Sequence, residues 1–461
     1  MIKKKKILML SDDMRMHSGV ATQSKELIIN TLHKYDWIQI AGAIKHPENG
    51  KIIDMSEAIN KDLKKSLKGT KGYLKLYPTD GYGNPHMLRQ ILEIEKPDAI
   101  IHYTDPRFWI WLYQMEHEIR QNIPIMYYNI WDDLPDPVYN TNYYRSCDTL
   151  LAISKQTYGI NKRLLKPHKY EDWQIKYLPH GINDQRLFKI NESTPELKKF
   201  HTKYELDKYE YKILYMNRNI RRKCPGDVVL AYKHFMDGLT DEQRKKSVLV
   251  WHSAVSDENG TDIRAVREAM CPEYPILFTY DVGGPMQDAE LNMLLNSVDV
   301  YINIASNEGF GLGSLEALTV GTPIIVNVTG GLQDQCGFKK DGKLLSAEDY
   351  VELGSNHKGE YKEHGEWVKP VFPSNRSLQG SPMTPYIFDD RVQYEDAGDA
   401  LRYWYDKGPE ERERCGEVGR QWVMGDEAMM TGKAMGRILI DAIEDTFENF
   451  KPREKVTMEV V

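Results

Sequence analysis

The chain has 461 residues, 41% of them hydrophobic and 28% charged, and its 61 Lys and Arg against 68 Asp and Glu leave a net charge of −7. That length accommodates two large domains with full cores, and the mildly acidic balance argues against general binding to nucleic acid or to an anionic membrane surface. No apolar run approaches the roughly 18 residues of a membrane span.

The start, MIKKKKILMLSDD, has an apolar core of only Ile7–Leu10 before Asp12 and Asp13, so it predicts a first strand rather than an export signal. Further strands are predicted at Ala99–His102, Ile123–Asn129, Thr149–Ile153 and Lys176–Leu178. In the second half they follow at Lys212–Met216, Val248–His252, Ile276–Tyr280, Val298–Ile304 and Pro323–Val328. Helical spacing falls between them, at Ala21–Leu32, Asp227–Phe235, Asp288–Leu295 and Ser314–Leu318. Apolar strands alternating with helices predict an α/β protein with two Rossmann-like, doubly wound parallel sheets. The expected organisation is an N-terminal domain over 1–180, a polar linker over 181–208 and a second domain over 209–425. A C-terminal helix and tail follow over 426–461, with 452–461 expected to fray. Residues 337–395 are rich in Gly, Pro, Ser and Asn and read as an insertion or long loops. Five cysteines, Cys147, Cys224, Cys271, Cys336 and Cys415, lack Cys-x-x-Cys spacing. They imply a reducing compartment, hence the cytoplasm, without a disulfide framework or a zinc site.

The most informative segment is SNEGFGLGSLEALTVGTPIIVNVTGG, residues 306–331, directly after the strand VDVYINI. Glycines at 309, 311 and 313 open a helix, and a Gly-rich strand-to-helix turn presents backbone N–H groups to a phosphate or diphosphate. Glycines alone fit a tightly packed βα turn equally well. Glu308 and Glu316 bracket the turn, and a carboxylate beside a phosphate is repulsive unless hydrogen-bond donors such as sugar hydroxyls occupy it. The arrangement therefore suits a nucleotide sugar, although Glu308 also reads as a solvated loop residue and Glu316 as a helix N-terminal charge.

Spacing, strand, helix and the GTPIIV segment that follows resemble the Glu-x7-Glu signature of the retaining, glycogen-synthase-like glycosyltransferases, group 1, with the GT-B fold. The resemblance implies two Rossmann-like domains facing across a cleft, with the C-terminal helix crossing back to the first. It gives Glu308 to the hexose, the backbone of Phe310, Gly311 and Leu312 to the diphosphate, and Glu316 to the ribose. Upstream, ILYMNRNIRRKCPGD resembles the family's Arg-x4-Lys element, here Arg218 and Lys223. These two cations would neutralise the departing nucleoside diphosphate without a metal. Without the family they form a solvated basic loop, and as loop cations both are expected to matter little for folding. Ser18-Gly19-Val20 resembles the family's glycine loop with Ser in place of the first Gly, which leaves Gly19 as the donor-side candidate. LPHGIN resembles the domain-junction segment, with His180 as a hinge residue, and GGLQDQ resembles the loop after the donor site.

One departure stands out. Family members commonly carry a His in the stretch that here reads PIMYYNIWDDLPDP, which has none. Asn129 and Trp131 in that stretch, and His102 after the preceding strand, are the candidates for lining the cleft. The aromatics from Tyr103 to Trp131, with Phe108, Trp109, Trp111, Tyr127 and Tyr128, read first as core and otherwise as a stacking surface for an acceptor sugar. The implied function is transfer of a hexose from a nucleotide diphosphate sugar to a hydroxyl acceptor, with retention, no cofactor and no metal. The alternatives are an idle binding or assembly subunit on the same fold, and a nucleotide-sugar epimerase or a phosphorylase.

Overall fold

The computed structural model describes residues 3–455. The chain divides into two units, the first made of residues 1–131, 136–181 and 432–461, the second of 132–135 and 182–431. Among the described residues, no helix is long and apolar enough to cross a membrane.

In the first unit the strands are β1 (Lys6–Asp12), β2 (Asp36–Ala43), β3 (Ile53–Asp54), β4 (Leu74–Asp80), β5 (Ala99–Tyr103), β6 (Ile125–Asn129), β7 (Thr149–Ala152) and β8 (Ile175–Tyr177). They form one sheet in the order β3-β4-β2-β1-β5-β6-β7-β8, parallel except for the edge pair β3–β4. Strand β1 lies at the switch of strand order: Leu8 pairs Ile38 of β2 on one side and Ile100 of β5 on the other. Its apolar run, Ile7 to Leu10, is fully buried, as a parallel sheet covered on both faces requires. Helices Gly19–Thr31 and Gly432–Asn449 pack closely: a Cβ on Gly436 would stand 2.8 Å from Asn30 Cβ, so this face needs a glycine. Tyr35 closes the contact by donating its hydroxyl to Glu444 at 2.6 Å. The C-terminal helix thus belongs to the first unit. Of the tail expected to fray, Arg453 donates its N–H to the Arg120 carbonyl at 2.8 Å, and residues 456–461 lie outside the described residues.

Two histidines are sealed in this unit. His102 stacks on Tyr127 at 4.5 Å and hydrogen-bonds the Tyr113 hydroxyl through Nε2 at 2.9 Å. His180 meets the Tyr128 hydroxyl through Nδ1 at 2.8 Å. Burial pushes both down to about 3, so they stay neutral in the folded chain. Their stabilising contribution is complete above the ordinary value of 6.5 and is lost as pH falls toward 3, by about 1.4 kcal/mol per pH unit for each. Chemical denaturation between pH 6.5 and 4 is expected to show this loss, and His102→Gln, which does not titrate, should flatten the slope.

The second unit has β9 (Tyr211–Tyr215), β10 (Ser247–Trp251), β11 (Ile276–Phe278), β12 (Val300–Asn303), β13 (Ile324–Asn327), β14 (Lys339–Lys340), β15 (Lys343–Leu344), β16 (Val368–Val371), β17 (Asn375–Ser381) and β18 (Thr384–Arg391). Six of them form a parallel sheet, β11-β10-β9-β12-β13-β16. Strand order reverses between β9 and β12, where Leu214 pairs Tyr301. Ligands of such sheets bind outside the carboxyl ends of the strands at this reversal. The core beneath it includes Ile213, Leu249, Trp251, Ile302 and Ile325, and truncating one such side chain to Ala costs about 2–5 kcal/mol.

Two expectations need correction here. Residues 182–208 are not a free linker: Phe188 and Ile190 donate their N–H groups to Asn292 and Asn296 at 3.1 and 2.8 Å, and the helix Pro195–Lys203 buries Leu197 and Phe200. Nor are residues 337–395 only loops. They supply β16, a full member of the sheet, and the separate antiparallel hairpin β17–β18. Strand β16 holds a Pro, which an edge strand tolerates and which breaks the apolar signal.

Candidate functional site

The two motif loops leave adjacent strands at the reversal of the second sheet. After β9 the chain makes a turn at Arg221–Lys223, and after β12 it makes the glycine turn into the helix Leu312–Thr319. The two are sewn together through the backbone: Ser306 N–H donates to the Arg222 carbonyl at 2.7 Å, and Arg222 Nη1 donates to the Asn307 carbonyl at 2.7 Å. This stitching sets Lys223 opposite Glu308, and the two form a buried ion pair. Burial pulls the Lys223 ammonium below its usual range.

Gly311 caps the helix with φ +90°, and a Cβ there would reach within 2.5 Å of Leu332 Cδ2, so no other residue fits. Gln335 Nε2 donates to the carbonyls of Phe310 and Gly311 at 2.7 and 3.0 Å, which fixes the direction of the peptide planes. The first N–H groups of a helix have no partner within it, so the start at Leu312 is a place for an anion. Beside it, Gly331 N–H donates to the Glu308 carbonyl at 2.8 Å, and a Cβ on Gly330 would strike that oxygen at 2.1 Å. The GG pair is therefore a backbone seat for the Glu308 turn.

One turn along the helix, Glu316 forms an ion pair with Arg186. Burial raises the Glu316 carboxyl, and the Arg186 guanidinium opposes the rise. Arg186 follows the LPHGIN segment, three residues before Lys189, and nothing in the sequence singles it out. Asp133 sits in the short segment 132–135 that clusters with this unit, and it accepts from Asn307, the neighbour of Glu308. Burial first, and then Asp132, raise the Asp133 carboxyl well above its usual range. Arg222 lies 3.8 Å from Asp132.

The structure thus brings Lys223, Glu308, Phe310, Gly311, Leu312 and Glu316 together, with the Phe310 ring buried as support. Arg218 lies on the same segment after β9; its side chain is 66% exposed and its Nε donates to Asp257 at 3.0 Å. In the first unit Gly19 is the exposed first residue of its helix, behind Ser18. The Ser18 hydroxyl accepts from Ala21 N–H at 3.0 Å, so the residue in place of the family's first Gly is a helix cap. His102, expected to line the cleft, is a core residue instead, held between aromatic rings. Asn129 is fully buried, bridging Asn161 at 2.8 Å and the Trp131 N–H at 3.0 Å, and the Trp131 ring packs edge-on to Tyr139. Burial in each case follows from position inside or just beyond a central strand. Of the aromatics, Trp109, Tyr127 and Tyr128 are core, whereas Phe108 is half-exposed and stacks on Tyr82 at 5.0 Å.

Comparison with known proteins agrees with this layout. The sequence profile of the family described as "Glycosyl transferases group 1" matches residues 198–353. Mannosylfructose-phosphate synthase of Agrobacterium fabrum is 22% identical over 228 residues, 46% of this chain and 44% of that protein. Alpha-monoglucosyldiacylglycerol synthase of Acholeplasma laidlawii is 22% identical over 204 residues, 44% of this chain and 46% of that protein. The chain therefore spans less than half the length of these relatives. Over nearly the full length, the fold resembles sucrose-phosphate synthase of Thermosynechococcus elongatus, with a TM-score of 0.64, 13% identity and coverage of 96% and 100% of the two chains. It also resembles Anabaena HepE in complex with UDP and glucose, with a TM-score of 0.63, 10% identity and coverage of 95% and 99%. The profile of the group 1 glycosyltransferases thus falls on the unit that holds the paired glutamates, and over almost the whole length this chain has the GT-B fold of these structural neighbours.

Proposed function

We propose that the chain transfers a hexose from a nucleoside diphosphate sugar to a hydroxyl acceptor, with retention at the anomeric carbon. The observation that carries this reading is the pairing of both signature glutamates with cations, Glu308 with Lys223 and Glu316 with Arg186, on either side of an anion-ready helix start. Each carboxylate of the site faces a cation of the same unit. A donor with two phosphates and two sets of hydroxyls satisfies both kinds of partner at once: phosphate for the cations, hexose and ribose hydroxyls for the carboxylates.

In the reaction, the bond between the anomeric carbon and the diphosphate oxygen breaks and its electron pair leaves with the nucleoside diphosphate. Lys223 and the helix N–H groups offset that charge as it develops. The acceptor oxygen bonds to the same face of the carbon, and its proton passes to the departing phosphate oxygen. Fixed cations then replace a metal, so excess EDTA is expected to leave turnover within about twofold of the untreated value. Loss of activity on chelation, restored by Mg²⁺ or Mn²⁺, would assign Asp132 and Asp133 a ligand role instead. The five cysteines, all buried, suit a reducing cytoplasm.

The direct test incubates the protein with UDP-, GDP- and ADP-hexoses and follows release of nucleoside diphosphate, with proton NMR of the sugar product for its anomeric form. Release with retained configuration supports the reading. Binding without release indicates the idle-subunit alternative, and an isomeric sugar nucleotide indicates an epimerase.

A further inference from the structure

The hairpin β17–β18 belongs to the region in which the sequence shows no family motif, yet its second strand runs along the back of the glycine turn. Asp390 N–H donates to the Ser306 carbonyl at 3.1 Å, the Ser306 hydroxyl donates to Asp389 at 3.3 Å, and Asn307 Nδ2 donates to the Phe388 carbonyl at 2.6 Å. On the other side, Asn327 Nδ2 spans the Ala305 and Asp390 carbonyls at 2.8 and 2.7 Å, and the Thr329 hydroxyl donates to the Asp390 carboxylate at 2.8 Å. Asp390 therefore touches both walls of the turn: its backbone N–H holds the approach to Glu308 at Ser306, and its carboxylate holds the GG seat beneath Glu308 through Thr329.

Asp390 is 4% exposed, and a carboxylate buried to that extent needs compensation. Arg376 supplies it. It stands directly across the hairpin from Asp390, donates through both Nε and Nη2, the latter at 2.8 Å, and lies over the Phe388 ring at 4.9 Å. The remainder of the hairpin is largely exposed, so Asp390 and its neighbours are where it is fastened to the unit.

We infer that Asp390, held by Arg376, is a positioning residue that sets the Glu308 turn from behind; the inference rests on the reading of residues 308–331 as the donor-sugar site. Glu308 is the carboxylate assigned to the hexose, so loosening its turn affects sugar transfer more than retention of the bare nucleotide. The helix start at Leu312 and the Glu316–Arg186 pair keep their own supports.

The experiment compares Asp390→Asn, Thr329→Val and Arg376→Lys with the wild-type full chain. Hydrogen exchange of the ligand-free protein is read by peptide, alongside donor turnover and titration with UDP, GDP and ADP. Asp390→Asn should lower protection about tenfold in peptides covering 305–312 and 327–334 while β9 and β10 keep theirs. Thr329→Val should do so more weakly, and Arg376→Lys, which keeps the charge, should stay near wild type. Turnover in Asp390→Asn should fall about tenfold or more while nucleoside diphosphate affinity stays within about threefold. Unchanged protection at the two loops overturns the inference, and so does a uniform loss across the second unit, which marks a merely structural role. The exchange result holds whether or not any nucleotide sugar is turned over, so failure of the proposed function and failure of this inference are separately visible. Should Asp390→Asn not fold, Thr329→Val decides the question alone.

Discussion

Lys223→Ala is expected to lower turnover of a nucleotide sugar by about 10²-fold or more, because the proposed mechanism assigns this lysine the charge that offsets the departing diphosphate. It is also expected to lower the melting temperature. Lys223 and Glu308 are 9% and 11% exposed, so removing the lysine leaves a buried carboxylate without its counter-charge, at a cost of about 3–5 kcal/mol. The sequence suggested two loop cations of no consequence for folding, and that holds only for Arg218. Its exposed pair with Asp257 is screened by solvent and contributes little, so Arg218→Ala should melt like the wild type. The double variant Lys223→Ala, Glu308→Gln separates the two effects. Without a charge left unpaired it should recover stability but not turnover. Wild-type turnover in Lys223→Ala would remove the clamp from the mechanism.

The parts of this architecture visible in the sequence are those where chemistry and periodicity coincide. Strand β1 and the segment from β12 through the helix Leu312–Thr319 announce themselves, since an uninterrupted apolar run or a glycine series has few alternatives. Strands β2 and β4 do not. Gln39 in β2 is fully buried, donating to the Ser11 hydroxyl and the Asp12 carbonyl at 2.8 Å each, and a polar residue in a strand core breaks the apolar pattern. β4 carries Pro78 and ends at Asp80. Strand β17 is mostly exposed, and β18 is mostly half-buried with its apolar residues bunched at Tyr386, Ile387 and Phe388 instead of alternating, so only the folded chain reveals Asp390 at the back of the glycine turn.

The candidate site divides in the same way. Glu308, Gly311 and Glu316 are fixed relative to one another by a single turn and helix, so their spacing carries their geometry. Arg186 and Asp133 reach the same place from separate segments of the chain, and no local spacing relates them to Glu308. His102 misled for a different reason. By sequence it reads as following a central strand, where a residue can face a ligand, but it lies inside β5 and its side chain turns into the layer of Tyr113 and Tyr127, where burial keeps it neutral.

Calorimetric titration separates the two glutamates and with them the reading of the whole site. Glu308→Gln keeps the size of the side chain and removes the charge that the hexose hydroxyls would meet. It should abolish most of the transfer while binding the bare nucleoside diphosphate within about threefold of wild type. Glu316→Gln removes the carboxylate assigned to the ribose and should weaken the nucleotide and the nucleotide sugar alike, by about 1–3 kcal/mol for a lost charged hydrogen bond. The measurement is titration of UDP, GDP and ADP and their hexose conjugates into wild type and both variants. The predicted result is a loss confined to the sugar conjugate for Glu308→Gln and shared by both ligands for Glu316→Gln. Equal weakening of the bare nucleotide by the two substitutions would contradict the division of roles and leave the pair as a general electrostatic feature of the turn.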